Sequence, residues 1–305
     1  MIGRELLAGM VASLLTSGIA EAQPPIRVVT TTTDLASIAA TIGGDRVEVA
    51  SFALGIQDPH YVEPKPSLVL GLRRADLYAQ IGLQLEVGWA PLLLNQARRP
   101  SLQPGGDGHL DLSAYVEVRD VPTTRVTRAE GDVHPFGNPH YWLDPRNGLR
   151  IAEAFAARFG ELDPSGANIY DQNLLRFEED LQSAISRWEG LLEPLLGTPV
   201  VAYHSSWRYF AEFSGVEILD YIEPKPGIPP APQHLAEVIE RMNGAGVRVI
   251  VMEPFYDTRI PQTVAERAGA QLLVLPSSVE GTDGVDDYIA LLDHNVRRLV
   301  AALSR

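Results

Sequence analysis

Ala167–Leu192 contains no proline, and no glycine before Gly190. Along it Ile169, Leu174, Leu175, Phe177, Leu181, Ile185, Trp188 and Leu191 recur at helical spacing, which predicts one uninterrupted helix of about seven turns. A helix that long cannot be buried inside one small domain. It can run between two lobes as a stiff strut, where two or three crossing strands would form a flexible hinge.

Both flanks of this segment alternate strand and helix. Before it, the β-branched runs Ile26–Thr30 and Val47–Ala53 and the segment Leu77–Gln80 read as strands; Asp34–Ile42, Ser67–Arg74 and Leu92–Gln96 read as helices. Arg98–Gly108 reads as a Pro/Gly-rich loop and Asp120–Asn138 as a polar surface loop. After it, strands are expected at Pro199–Tyr203, Val216–Asp220, Val247–Met252 and Gln271–Leu275. Helices are expected at Trp207–Phe213, Leu235–Asn243, Ile260–Ala268 and Val285–Leu303. The predicted fold is therefore α/β, with two lobes that each carry a mostly parallel sheet flanked by helices. The expected divisions are residues 23–163, the linking helix 164–193, and residues 194–305.

The chain has 305 residues, enough for two such lobes. Its net charge of −14 argues against a nucleic-acid partner and against docking on anionic lipid. There is no cysteine, so thiol nucleophiles, disulfides, iron–sulfur clusters and thiolate zinc sites are all excluded. Arg4, the apolar run Leu6–Ala20 and the small-residue site Ala20-Glu21-Ala22 have the pattern of a secretory signal peptide spanning residues 1–22. The mature chain is expected to be a soluble periplasmic monomer. No lipid anchor is expected, because no cysteine is there to carry one.

Any metal must then be held by histidine or carboxylate. Three of the seven histidines share a setting. His60 and His140 each follow a proline, in Asp58-Pro59-His60-Tyr61 and Asn138-Pro139-His140-Tyr141. His204 ends the strand Pro199–Tyr203. Ligands in open α/β sheets bind beyond the carboxyl ends of strands, and proline limits the backbone freedom of an imidazole to be held at a set angle. Glu253, directly after Val247–Met252, is positioned to complete the site, to orient a histidine, or to balance a helix dipole. Glu63-Pro64-Lys65-Pro66 recurs as Glu223-Pro224-Lys225-Pro226, a faint echo between the two lobes. His109 and His294 are expected to be exposed and His234 structural. Trp142 and Trp207 are expected to pack beside the site.

These residues carry a resemblance over about residues 26–304. The chain resembles the zinc/manganese-type solute-binding proteins of metal ABC importers, the rigid-helix, cluster A-I group. Asp58-Pro59-His60-Tyr61-Val62-Glu63-Pro64-Lys65-Pro66-Ser67 is similar to that family's D-P-H-x-x-E-P-x-P-S element. Asn138-Pro139-His140-Tyr141-Trp142-Leu143-Asp144-Pro145 is similar to its N-P-H-x-W-L-D-P element, and His204-Ser205-Ser206-Trp207-Arg208-Tyr209-Phe210 to its H-x-x-W/F-x-Y-F element. The resemblance implies one metal ion between the lobes, with His60, His140 and His204 as ligands. It also implies capture and handover to a membrane permease and its ATPase, with a periplasmic metallochaperone as an optional further partner.

Two features depart from the family pattern. The Asp that usually follows the last strand as fourth ligand is missing from Leu275-Pro276-Ser277-Ser278-Val279-Glu280. Glu253 is the favoured substitute, with Glu280, Asp283 and water as alternatives. The long His-rich loop before the second ligand is reduced to His134 in roughly 121–137. Three imidazoles and at most one carboxylate favour Zn2+ as cargo over Mn2+, which prefers more oxygen; Cu(II) would bind at least as tightly by intrinsic order. The alternatives are manganese as cargo, a zinc-dependent hydrolase with Glu253 as general base, and a metal-chelate binder. No second acid/base pair accompanies the histidines, so no enzyme activity is expected.

Overall fold

The structure is a computed structural model that describes residues 24–124, 134–225 and 227–304. The expected leader lies outside the described residues, as do 125–133 of the expected surface loop. Strands β1 (Ile26–Thr30), β2 (Val47–Ser51), β3 (Leu77–Gln80) and β4 (His109–Asp111) form one sheet in the order β2-β1-β3-β4. Strands β5 (Pro199–Ala202), β6 (Glu217–Tyr221), β7 (Val249–Met252) and β8 (Gln271–Val274) form a second in the order β6-β5-β7-β8. Every ladder is parallel, and the two orders are equivalent once four is added to each strand number.

The helices are α1 (Thr33–Gly43), α2 (Pro66–Arg74), α3 (Ala90–Ala97), α4 (Pro145–Leu162), α5 (Ala167–Leu192), α6 (Arg208–Ser214), α7 (Pro232–Ala245), α8 (Arg259–Ala268) and α9 (Tyr288–Leu303). They cover the sheets as parallel α/β packing demands. Among the described residues none is long and apolar enough to cross a membrane.

Helix α5 has the predicted limits and a length of about 39 Å. Its buried stripe is Tyr170, Phe177, Leu181, Ala184, Ile185, Trp188 and Leu192. Ile169, Leu175 and Leu191, read in sequence as part of the apolar face, are exposed because they lie outside that stripe. Helix α5 packs on α1 and α4 from the first half and on α9 from the second. One continuous apolar cluster runs from Val28 and Ile38 through Phe155, Phe177 and Trp188 to Leu292 and Leu299. The linking helix is thus cemented to both halves, as the strut reading requires.

Two elements were not read from sequence. Helix α4 starts at an Asp-Pro pair taken for a turn: the Asp144 side chain accepts from the Arg146 amide and Pro145 occupies the first turn. Strand β4 holds His109, which is half-buried instead of exposed; His294 on α9 is half-buried too. Elsewhere predicted and observed limits differ by a few residues, mostly where a strand ends sooner and its last residues turn toward the site. His234 bonds through Nε2 to the Tyr221 carbonyl at 3.0 Å, a structural role.

The halves also meet on one flank through α1 and the segment 277–288. Thr33 Oγ1 donates to the Val279 carbonyl at 2.7 Å, and the Val279 amide donates to Asp34 Oδ1 at 2.9 Å. Trp142 Nε1 donates to the Ser277 carbonyl at 2.7 Å. On the other flank Arg119 makes a bidentate pair with Glu212, and its amide donates to the Tyr209 hydroxyl. Motion of one lobe against the other must break these contacts, which points to small tilts.

Candidate metal centre

His60, His140 and His204 converge from three separated segments. Each offers a ring nitrogen, and these atoms lie within 4.8 Å of one another. His140 and His204 are buried and His60 nearly so. The rings contact pairwise, with centroids 5.2 Å apart for His60–His140, 5.7 Å for His60–His204 and 5.5 Å for His140–His204.

The local sequence explains how each ring is held. In Asp58-Pro59-His60 the Asp58 carboxylate accepts from both the His60 amide (3.0 Å) and Nδ1 (2.7 Å). In Asn138-Pro139-His140 the Asn138 amide oxygen does the same for His140, at 3.0 and 2.9 Å. The two x-Pro-His segments are therefore one device, a side-chain acceptor closing a short turn around a histidine. His204 takes its acceptor from the end of the neighbouring strand: Nδ1 donates to Glu223 Oε2 at 2.8 Å. With the Nδ1 protons committed, Nε2 is left as the lone pair on each ring, the tautomer that binds a metal.

The electrostatics agree. Burial and the neighbouring imidazoles drive His140 well below the usual histidine range, so it is neutral at pH 7. Burial also lowers His204, but the Glu223 hydrogen bond and the charges of Glu253, Glu223 and Asp58 outweigh it and raise the net value. Burial raises Asp58, yet its bonds to His60 prevail and hold it below the ordinary carboxylate range. The Nε2 atom of His204 is buried and has no hydrogen-bond partner.

Glu253 is fully buried behind His204, and burial lifts its pKa to about 7 against the opposing influence of His204 and the Ser206 hydroxyl. Neither of its oxygens has a well-formed hydrogen bond. Its carboxylate is not part of the three-histidine group. The alternatives Glu280 and Asp283 are exposed. Trp142 packs on His140 at 5.4 Å between centroids, whereas Trp207 stacks edge-on with Phe210 in the core.

Two cavities adjoin the cluster. A small one of about 30 Å³, the size for one water or ion, lies between Asp58, His60, His204, Glu223 and Tyr256. A larger one of about 690 Å³ reaches it from the side, lined by His134, His204, Arg208, Glu212, Tyr221 and Glu223 among others. His134 was not expected here; its Nε2 lies 3.2 Å from that of His60. The sequence offered for it only a lone histidine in a polar stretch.

Residues 28–302 match the family model described as "ZnuA: Zinc-uptake complex component A periplasmic". A manganese ABC transporter substrate-binding lipoprotein, PsaA, from Streptococcus pneumoniae is 25% identical over 98% of this chain and 96% of its own. Among solved structures, a ZnuA deletion mutant with zinc bound is 24% identical, covers 91% of this chain and 98% of its own, and has a TM-score of 0.76. The manganese-bound periplasmic metal-binding protein of Candidatus Liberibacter asiaticus is 22% identical, with coverages of 91% and 99% and a TM-score of 0.76. The expectation of Zn2+ as cargo is corrected by these relatives. Several named ones, from pneumococcal and related streptococci, are manganese proteins, and the fold has been solved with manganese as well as zinc. Counting imidazoles alone misjudged a site that three carboxylates surround.

Proposed function

The chain belongs to the family of periplasmic metal-binding components of ABC importers, and from that premise we propose that His60, His140 and His204 hold a divalent transition metal as cargo, with manganese the metal its relatives favour. Membership makes the chain an extracytoplasmic binding component and not a catalyst. The observation that carries the reading is the common orientation of three imidazoles, each with Nδ1 bonded to an acceptor, around a space of about 30 Å³.

The donor set fits a cation. His204 Nε2 and both Glu253 oxygens are buried without partners, a costly arrangement that a bound cation relieves. Asp58, Glu223 and Glu253 supply negative charge around the neutral rings, which suits a harder ion than three histidines alone would. In this reading Glu253 acts as a buried counter-charge. Residues up to 163 and from 194 onward form the two bodies that α5 joins, and both face the permease when the metal is handed over.

Metal-stripped protein titrated with Mn2+ tests the proposal. One ion per chain is expected, and none in His140→Ala. No stoichiometric manganese, or binding indifferent to His140→Ala, overturns it.

A further inference from the structure

Resting on that reading, we infer that His134 is a fourth ligand of the cargo metal, held in place by the strained backbone turn after β3. The His134 and His60 Nε2 atoms face each other at 3.2 Å, with rings stacked at 5.3 Å between centroids. Two imidazoles on one metal, with metal–nitrogen bonds of about 2.1 Å, place their nitrogens about 3.0 Å apart in octahedral and about 3.4 Å apart in tetrahedral geometry. The observed separation falls between these values.

A direct hydrogen bond between the two rings needs a proton on one Nε2. His60 has its proton on Nδ1, committed to Asp58. The His134 ring also hydrogen-bonds the backbone of Leu83, and since Nε2 faces His60, that bond falls to Nδ1. Two lone pairs then oppose each other at contact distance, which is unfavourable until a cation lies between them.

The Leu83 partner is itself built with effort. Gly82, Leu83 and Gln84 have φ of 81°, 52° and 68°, a run that non-glycine residues adopt at a cost. The turn is held from beneath by buried Glu86, whose carboxylate accepts from the Ile81 and Gly82 amides and from Thr31 Oγ1. Strain kept in place by a buried carboxylate marks a position set for a purpose, and the group it presents is the acceptor that fixes the His134 tautomer. His134 also lines the larger cavity, so it stands between solvent and the three inner histidines.

The test uses Co2+ as a spectroscopic probe in the full chain, comparing wild type, His134→Ala and His140→Ala. Removing His134 is expected to weaken Co2+ binding about 10- to 100-fold and to change the visible ligand-field bands, with added free imidazole restoring the wild-type spectrum. Metal-free His134→Ala should melt with the wild type. If His134 merely positions His60, affinity falls while the ligand-field bands stay the same, and the assignment is overturned. An unchanged affinity in His134→Ala alongside loss in His140→Ala overturns the fourth ligand and leaves the three-histidine site standing. A wild type that binds no Co2+ overturns both.

Discussion

Glu223 and Glu63 occupy the same place in two copies of Glu-Pro-Lys-Pro, yet their surroundings differ. Glu223 is 8% exposed and accepts from His204 Nδ1 at 2.8 Å; Glu63 is exposed and pairs only with Lys65. Removing a carboxylate that orients a ligating histidine typically costs 10- to 100-fold in metal affinity. The equivalent free energy is about 1.4 to 2.7 kcal/mol. Glu223→Ala should reach the upper part of that range, because it also leaves the buried His204 Nδ1–H without an acceptor. Glu223→Gln keeps an oxygen for Nδ1 and loses only the charge, so it should sit near tenfold. Glu63→Ala should bind as wild type, an exposed ion pair being worth little. Competition of each variant against a chelating dye for Mn2+ gives the dissociation constants. Glu223→Ala within twofold of wild type, or Glu63→Ala as damaging as Glu223→Ala, would refute the assignment of Glu223 as the positioning acceptor.

Buried Asp34, at the lobe contact, has a pKa lifted by burial to about 7 despite the Val279 amide. Its unfolded value is near 3.9, so the folded state binds the extra proton between these two values. Its contribution is complete below about pH 4 and is lost as pH rises through about 7, up to about 4 kcal/mol in all. Asp34→Asn should therefore flatten the fall in metal-free stability between pH 4.5 and 8; denaturant curves that shift in parallel with wild type would contradict this. A Cβ on Gly55 would run into the backbone of Val279 and Glu280 across the lobe contact. Gly55→Ala should destabilise by about 1–3 kcal/mol and weaken metal binding by spreading the lobes, read by calorimetry and titration together. Unchanged values in both would show that the contact yields freely. Trp142→Ala removes a fully buried indole and its bond to Ser277, and should cost about 3–5 kcal/mol in chemical unfolding; a loss under 1 kcal/mol would mean the site's apolar wall does not support the fold.

The architecture was largely legible because its determinants are local. The α5 stripe, the β-branched strands and the Gly and Pro punctuation each depend on neighbours within a few residues. Helix α4 escaped because Asp144-Pro145 serves equally as a turn and as an N-cap with proline in the first turn, and only the helical run of residues 146–162 distinguishes the two. At the site, His60, His140 and His204 were legible from their proline-led or strand-end settings. Their acceptors were less so. Asp58 and Asn138 sat in plain view, two residues before each histidine, and the Asp58/His60 and Asn138/His140 echo was the signal. Glu223 is 19 residues from His204, and only the pairing of β5 with β6 brings them together. His134 meets His60 across 74 residues, a contact no periodicity encodes. The zinc expectation failed for the same reason: the donor count was legible, and the ring of carboxylates brought in by tertiary contact was not.

The central claim, one metal at the convergence of three histidines between two lobes, is tested most directly by anomalous diffraction from crystals of the manganese-loaded chain. A single strong manganese peak within bonding distance of Nε2 of His60, His140 and His204 is the expected result. A peak elsewhere on the molecule, or none at that position in crystals whose solution binds one ion per chain, would contradict it.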